Sequence, residues 1–277
     1  MRLEGKIALV TGGGSGIGRE ICLAFAREGA HVAVNDLKPA SIAETIKAMG
    51  EAGARALAVP ADVGDSGQVA QMFTAVQRRY PTLDILVNNA GIGEVAGRGD
   101  TARMNQVAES RMQEMMSGSP PTTRWNVTQH LDDAAWDTML RIHLYGTFYC
   151  ARAALKIMEA KNTGRIINIS SIAATMGLEG SPHYSAAKAG ILGFTRSLAR
   201  EVGDSGITVN AIAPGYIETP MTDPLSPLMR QIWIMNTPLK KAGKPADIAA
   251  AAVYFASDDG NFVTGQILSP NGGWWMP

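Results

Sequence analysis

Tyr184 and Lys188 stand four residues apart in the run YSAAK, so a helix would set phenol and ammonium on one face. A free phenol titrates near ~10, too high for a base at neutral pH. A neighbouring ammonium favours the phenolate and opens the way to proton transfer by the tyrosine. Taken alone, such a pair also suits a solvated helix surface. A second cluster carries its own chemistry. The run TGGGSGIG, residues 11–18, places Gly12, Gly16 and Gly18 between a short apolar run and an amphipathic stretch. Glycines there permit a tight turn and close approach of backbone to a pyrophosphate, and the N–H groups and dipole of the following helix favour the anion. The spacing departs from G-x-G-x-x-G by one extra residue in the first gap. Asp36 follows at the end of the next apolar run. A carboxylate there accepts hydrogen bonds from the adenosine ribose hydroxyls and repels a 2′-phosphate, or else caps the next helix. Position 15 carries no Arg or Lys, and the nearest lysine after Asp36 is Lys38. This pattern predicts NAD in preference to NADP. Asp62, at the end of the third apolar run, either bonds the adenine amino group or caps the helix that follows.

These groups need a frame. Residues 6–12, 31–36, 54–62 and 83–91 read as buried strands, with helical spacing between them. After residue 130 the alternation resumes: one long helix over 131–160, a strand over 164–171, a long helix over 181–203 and a strand over 206–215. An irregular stretch over 215–245, a helix over 245–257 and a last strand over 264–270 complete the chain. Apolar strands alternating with helices predict a parallel sheet covered on both faces.

With TGGGSGIG, NNAG (88–91), YSAAK (184–188) and Pro214-Gly215 in this order, the chain resembles the short-chain dehydrogenase/reductase family over essentially its whole length. The resemblance implies an α/β, three-layer Rossmann-type doubly wound fold with a seven-stranded parallel sheet, one domain over 1–277. It implies that Tyr184 and Lys188 are catalytic and that Ser171, at the end of the fifth strand, holds the substrate oxygen. Tyr184 would take the alcohol proton as hydride leaves for the nicotinamide, and Lys188 would also bond the nicotinamide ribose. Asn88 and Gly91 match the motif after strand four. The cofactor contacts implied are Gly12, Ser15, Gly16, Ile17, Gly18, Asp36, Asp62, Val63, Asn89, Ala90, Gly91, Tyr184, Lys188, Pro214, Gly215, Ile217 and Thr219. No metal is expected. The remaining catalytic position, usually Asn, is His143 here. A histidine also occurs there in some branches, including the (3R)-hydroxyacyl-CoA dehydrogenase units of multifunctional β-oxidation enzymes. His143 has two readings: a polar spacer bonded to backbone, or a proton relay between Lys188 and solvent, which a pKa near ~6.5 would suit. His183 either points into the cleft or lies in a surface loop.

The activity implied is NAD-dependent interconversion of a secondary alcohol and a ketone. An apolar wall from Met221, Leu225, Leu228, Ile232, Trp233 and Met235 suits a bulky aromatic or alicyclic substrate. A 3-hydroxyacyl or 3-oxoacyl thioester is the alternative, with Arg98, Arg103 and Arg111 as a basic patch. A non-catalytic NAD-binding scaffold is the third reading. The gap over 92–130 is longer than the family's usual one. Met104, Val107, Ala108, Arg111, Met112 and Met115 fall at helical spacing, with Asp100 or Thr101 as cap and Ser117-Gly118 as stop. An inserted helix beside the active-site mouth is therefore expected, about 93–130, together with a substrate loop about 215–245. The terminal Trp274 and Trp275 are expected in a subunit interface or a partner's site, since the family commonly forms homotetramers. Lys plus Arg equals Asp plus Glu, 25 each, which gives no sign of nucleic acid or an anionic membrane as partner. Two cysteines and no leader-like apolar segment fit a cytoplasmic protein.

Overall fold

The computed structural model describes residues 1–118 and 120–276. Seven strands make one parallel sheet in the order β3-β2-β1-β4-β5-β6-β7. They are β1 Ile7–Val10, β2 His31–Val34, β3 Leu57–Ala58, β4 Ile85–Asn88, β5 Gly164–Ile169, β6 Ile207–Ile212 and β7 Ile267–Leu268. Every residue of β1, β4 and β6 is buried, because helices cover both faces. The helices are α1 Gly16–Arg27, α2 Pro39–Ala48, α3 Ser66–Arg79, α4 Asp100–Met116, α5 Asp133–Leu140, α6 Gly146–Met158, α7 Ala173–Met176, α8 Pro182–Glu201, α9 Pro227–Asn236 and α10 Pro245–Ala256. On one face Ile21 and Phe25 of α1 pack with Ile248 and Phe255 of α10. On the other, Phe73 and Val76 of α3 pack with Cys150 and Ala154 of α6. Strand order reverses beside β1, which opens a crevice at the carboxyl ends of β1 and β4, where such sheets bind ligands.

Three expectations change. The two edge strands β3 and β7 pair over two residues each, not along the whole apolar runs. The helix expected over 131–160 is interrupted by one π-helical turn, Arg141–Tyr145, centred on His143. The Thr147 hydroxyl donates to the His143 carbonyl at 2.7 Å, satisfying a group that the wider turn disturbs. The stretch 215–245 is not wholly irregular, since it contains α9. There Ser226 caps the helix by accepting from the Met229 N–H, and Pro227 follows at the first position. The inserted helix is present as α4, and it starts after Gly99 and stops at Ser117-Gly118.

Candidate active site

The crevice is built by stitching the end of β1 to the end of β4. The Thr11 hydroxyl accepts from the N–H groups of Asn89 and Ala90 at 3.0 and 3.1 Å. The Asn89 amide donates back to the carbonyls of Thr11 and Gly12, at 2.9 and 3.1 Å. A Cβ on Gly18 would lie 2.1 Å from the Gly12 oxygen, so α1 can press this close only with glycine there. Gly12 and Gly16 hold φ of +63° and +52°. Ser15 gives α1 no side-chain cap and the first turn carries no acidic residue, leaving the opening N–H groups of α1 for an anion. Asp36 accepts from the Gly14 N–H at 3.1 Å and from the Lys38 N–H at 3.0 Å. Lys38, not Asp36, is the N-cap of α2, so the capping reading of Asp36 falls away and its carboxylate stands beside the glycine turn. Asp62 is likewise no helix cap, because Asp65 caps α3. Asp62 accepts from the Gly64 N–H at 2.8 Å and faces Arg141 at 3.5 Å, while Val63 packs where Gly146 leaves room. Thr219 lies against Gly16, so the segment after β6 closes over the turn. Pro214 accepts from the Ile172 N–H at 3.0 Å, Gly215 abuts Asn271, and Ile217 is buried and bridges to Gly243. A cradle of backbone N–H groups with a carboxylate beside it fits the pyrophosphate and ribose of a dinucleotide.

The catalytic candidates hang from a buried polar ladder. Asn88 of β4 donates to Asn168 of β5 at 2.8 Å, and Asn168 donates to Thr195 of α8 at 2.9 Å. This sets the height of α8 on the sheet and with it Tyr184 and Lys188. The Lys188 ammonium is buried, donates to the Ile169 carbonyl at 2.9 Å and lies 5.7 Å from the Tyr184 ring centre. Burial brings it down to about 7. Ser171 accepts from the Ala173 N–H at 3.1 Å. Burial pushes the Tyr184 phenol up, and its hydrogen bond with Ser171 works the other way. The net direction is upward, opposite to the lowering that a neighbouring ammonium was expected to bring. His143 meets Tyr184 edge-on, ring centres 5.4 Å apart. Its Nε2 lies 3.1 Å from the Ile92 nitrogen and 3.0 Å from the Ile92 oxygen, whereas Nδ1 is buried without a partner. A Cβ on Gly91 would come within 2.3 Å of the His143 ring, so glycine at 91 is what lets the imidazole lie there. Burial, and then the charge of Lys188, hold His143 well below 6.5. The ring is therefore neutral at neutral pH, and the relay reading loses the near-neutral titration on which it rested.

Ser171 and Tyr184 open into a pocket whose other walls are mostly apolar. Met104 comes from α4, Met221, Leu225 and Trp233 from the segment after β6, Met176 and Leu178 from the stretch before α8, and Trp274 from the tail. The inserted stretch is thus part of the site, and it is held at several points. Glu94 accepts from the Thr101 N–H at 2.7 Å, and Arg98 pairs with Asp100 and Asp132. Asn105 donates to the Pro224 carbonyl at 2.9 Å and accepts from the Ser226 N–H at 3.0 Å, tying α4 to α9. Burial of Met104 and Val107 adds about 1.5–3 kcal/mol each. Glu114 accepts from the backbone N–H and hydroxyl of both Thr122 and Thr123, which holds it well below the usual carboxylate range, at about 2. Ser119, between Glu114 and Thr122 in sequence, lies outside the described residues. Glu114→Ala should speed amide exchange at Thr122 and Thr123 by about tenfold while leaving the sheet amides unchanged. Unchanged exchange at both threonines would show that the carboxylate does not hold the hairpin.

Two family models match the chain: one described as short chain dehydrogenase over residues 6–119, one as enoyl-(acyl carrier protein) reductase over 118–275. The (2S)-[(R)-hydroxy(phenyl)methyl]succinyl-CoA dehydrogenase subunit of Thauera aromatica is 37% identical over 273 residues, covering 99% of this chain and 98% of the relative. A 3-oxoacyl-[acyl-carrier-protein] reductase of Staphylococcus aureus is 37% identical over 275 residues, covering 98% of each. The chain belongs to the short-chain dehydrogenase/reductase family. Among solved structures, a candidate gluconate dehydrogenase from Agrobacterium tumefaciens superposes with a TM-score of 0.84 at 30% identity, over 98% of this chain and 96% of that one. As a member of this family, the chain is an oxidoreductase that binds a nicotinamide cofactor.

Within this short-chain dehydrogenase/reductase several expected placements shift. His183 is buried in the first turn of α8 with neither ring nitrogen bonded, so it is not a surface-loop residue; nor does it line the pocket. Trp274 packs on Trp233 of its own chain, ring centres 5.8 Å apart, and walls its own pocket. Leu228, Ile232 and Met235 stay out of the pocket, and Met235 is exposed. The three arginines of the expected basic patch bond within the insertion and its flank: Arg98 as above, Arg103 to the carbonyls of Trp125 and Asn126, Arg111 to that of Thr123. Sequence reading missed the wall between Ser171 and Tyr184, with Ile172, Met176 and Leu178. The signal was available, since a segment joining two groups that must meet at one substrate has to pass over it.

Proposed function

We propose that the chain is an NAD-dependent dehydrogenase interconverting a secondary alcohol and a ketone on a bulky apolar substrate. The observation that carries this reading is that Ser171 and Tyr184 open into a pocket whose other walls are mostly apolar, Met104, Met221, Leu225, Trp233 and Trp274 among them, with Asp100, Thr101 and Thr222 as polar neighbours. Bound NAD supplies the hydride acceptor. The Ser171 hydroxyl donates to the substrate oxygen and keeps it against Tyr184. Tyr184 Oη takes the hydroxyl proton in oxidation and returns it to the forming alkoxide in reduction. Lys188, held by the Ile169 carbonyl, sets positive charge below the phenol ring once protonated. The neutral His143 fixes the ring of Tyr184 from the side. The glycine turn with Ser15 and Ile17, the Asp36 carboxylate, Asp62-Val63, the Asn89–Gly91 corner and Pro214–Thr219 would hold the dinucleotide. We place the protein in the cytoplasm as a homotetramer, with the exposed Tyr145 of the π turn and Phe148 of α6 as apolar surface for self-association.

Assay of alcohols and ketones with NAD and NADP, read at the nicotinamide absorbance, tests this reading. Asp36→Ala should raise kcat/KM with NADP by at least about tenfold, since two unit charges about 4 Å apart repel by about 4 kcal/mol at an effective dielectric of about 20, before solvation weakens it. A wild-type preference for NADP would overturn the assignment of Asp36. The thioester reading is favoured by the names of the Thauera and Staphylococcus relatives. Turnover of 3-hydroxyacyl thioesters far above that of free alcohols would select it.

A further inference from the structure

The catalytic pocket does not end at α4. A second chamber continues from it along the face between α4 and α9, past Ala108, Met112 and Ile232, with Arg111 and the exposed Glu179 and Asn236 as its charged and amide side chains. The two share one wall: Met104, Met176, Gly177, Leu178, Trp233 and Trp274 line both. This junction holds no charged side chain and, apart from the indole N–H groups, no polar one. Met115 at the far end is 60% exposed, and Met176 at the junction 42%, so apolar surface lies open inside the groove. Methionine walls adapt to a flexible guest. An arm carrying amides would leave those amides without partners at the junction, at a cost of about 1–3 kcal/mol each. An alkyl chain loses nothing there.

We propose that the outer chamber binds an unbranched alkyl tail extending from the reacting carbon, and that the inserted helix selects substrates by tail length. The preferred substrate is then an elongated secondary alcohol or ketone whose carbonyl end lies at Tyr184 and whose tail runs under α4. This rests on the reading of the Tyr184 pocket as the site of reaction.

The probes are straight-chain methyl ketones of increasing length, from butanone to 2-undecanone, with NADH. kcat/KM should climb by about three- to fourfold per added methylene once the tail passes the junction. Ala108→Phe, which fills the outer chamber only, should flatten that climb and leave butanone turnover unchanged. Met112→Phe serves the same purpose if circular dichroism shows that the first variant is misfolded. In parallel, ketone binding without turnover is read from the fluorescence of Trp125, Trp233 and Trp274 in wild type and variant. Turnover of all lengths with no dependence on tail or plug overturns the alkyl chamber and leaves the proposed function standing. No turnover of any ketone, with tail-dependent binding lost in the plugged variant, upholds the chamber and overturns the proposed function. Neither signal overturns both. A plugged variant that changes oligomeric mass by light scattering would assign the groove to a second copy of the chain and overturn the proposal.

Discussion

Tyr184→Phe should lower kcat by about 10²–10⁴-fold, the usual worth of a positioned proton-transfer group, while NAD affinity changes little. The substitution removes one oxygen and keeps the ring, so the edge-on contact with His143 and the packing over Lys188 survive. What disappears is the acid–base group that lines the same pocket as Ser171 and pairs with it. Asp100 also reaches that pocket, but its carboxylate is engaged by Arg98. His143 is neutral and bonded to the Ile92 backbone. Steady-state rates in both directions, with cofactor binding followed by fluorescence, separate the two effects. Wild-type turnover in Tyr184→Phe would move the proton elsewhere and revive the non-catalytic reading. A parallel loss of NAD affinity would mean that the phenol serves the cofactor more than the substrate.

The difference between what was legible in the sequence and what only the fold shows lies in the range of the interactions. The glycine turn, Asp36 and the Tyr184–Lys188 spacing are local, and each dictates its own geometry through backbone freedom or helical period. The strands were legible because a sheet covered on both faces demands continuous apolar runs. The inserted helix was legible too, since its period, its start near Asp100 and its stop at Gly118 lie within one short stretch. The π turn was not, because it answers to tertiary crowding: Gly91 admits the His143 ring, and Gly146 admits Val63. The fate of Trp274 was equally closed to pattern reading. Its partner Trp233 is distant in sequence, and nothing in the run NGGWWMP distinguishes packing on its own chain from packing on another. The charge on Lys188 differs from the sequence expectation for a related reason. Lys188 was expected to act on Tyr184 as a permanent cation, but its burial and its bond to Ile169 arise only when β5 and α8 come together.

That burial gives Lys188→Met two opposed consequences. Turnover should fall by about 10²-fold or more, because the phenolate loses its neighbouring charge. Stability at neutral pH should rise. An unfolded lysine titrates at 10.5, while burial brings the folded group to about 7. Since the folded value is the lower one, protons bind the unfolded chain more tightly. The resulting penalty is absent above the unfolded pKa, grows as pH falls from about 10.5, and stops growing below about 7. At pH 7 it is on the order of 4 kcal/mol against the fold. Methionine removes this term but leaves the Ile169 carbonyl without its donor, at about 1–3 kcal/mol. The variant should therefore be more stable than wild type near pH 7, lose that advantage as pH rises, and become the weaker of the two near pH 10. Denaturant unfolding of both proteins without NAD at pH 7, 8.5 and 10 measures the crossing. Parallel stabilities across that range would mean that the buried ammonium stays charged in the fold, and Lys188 alone would then suffice to support the Tyr184 phenolate.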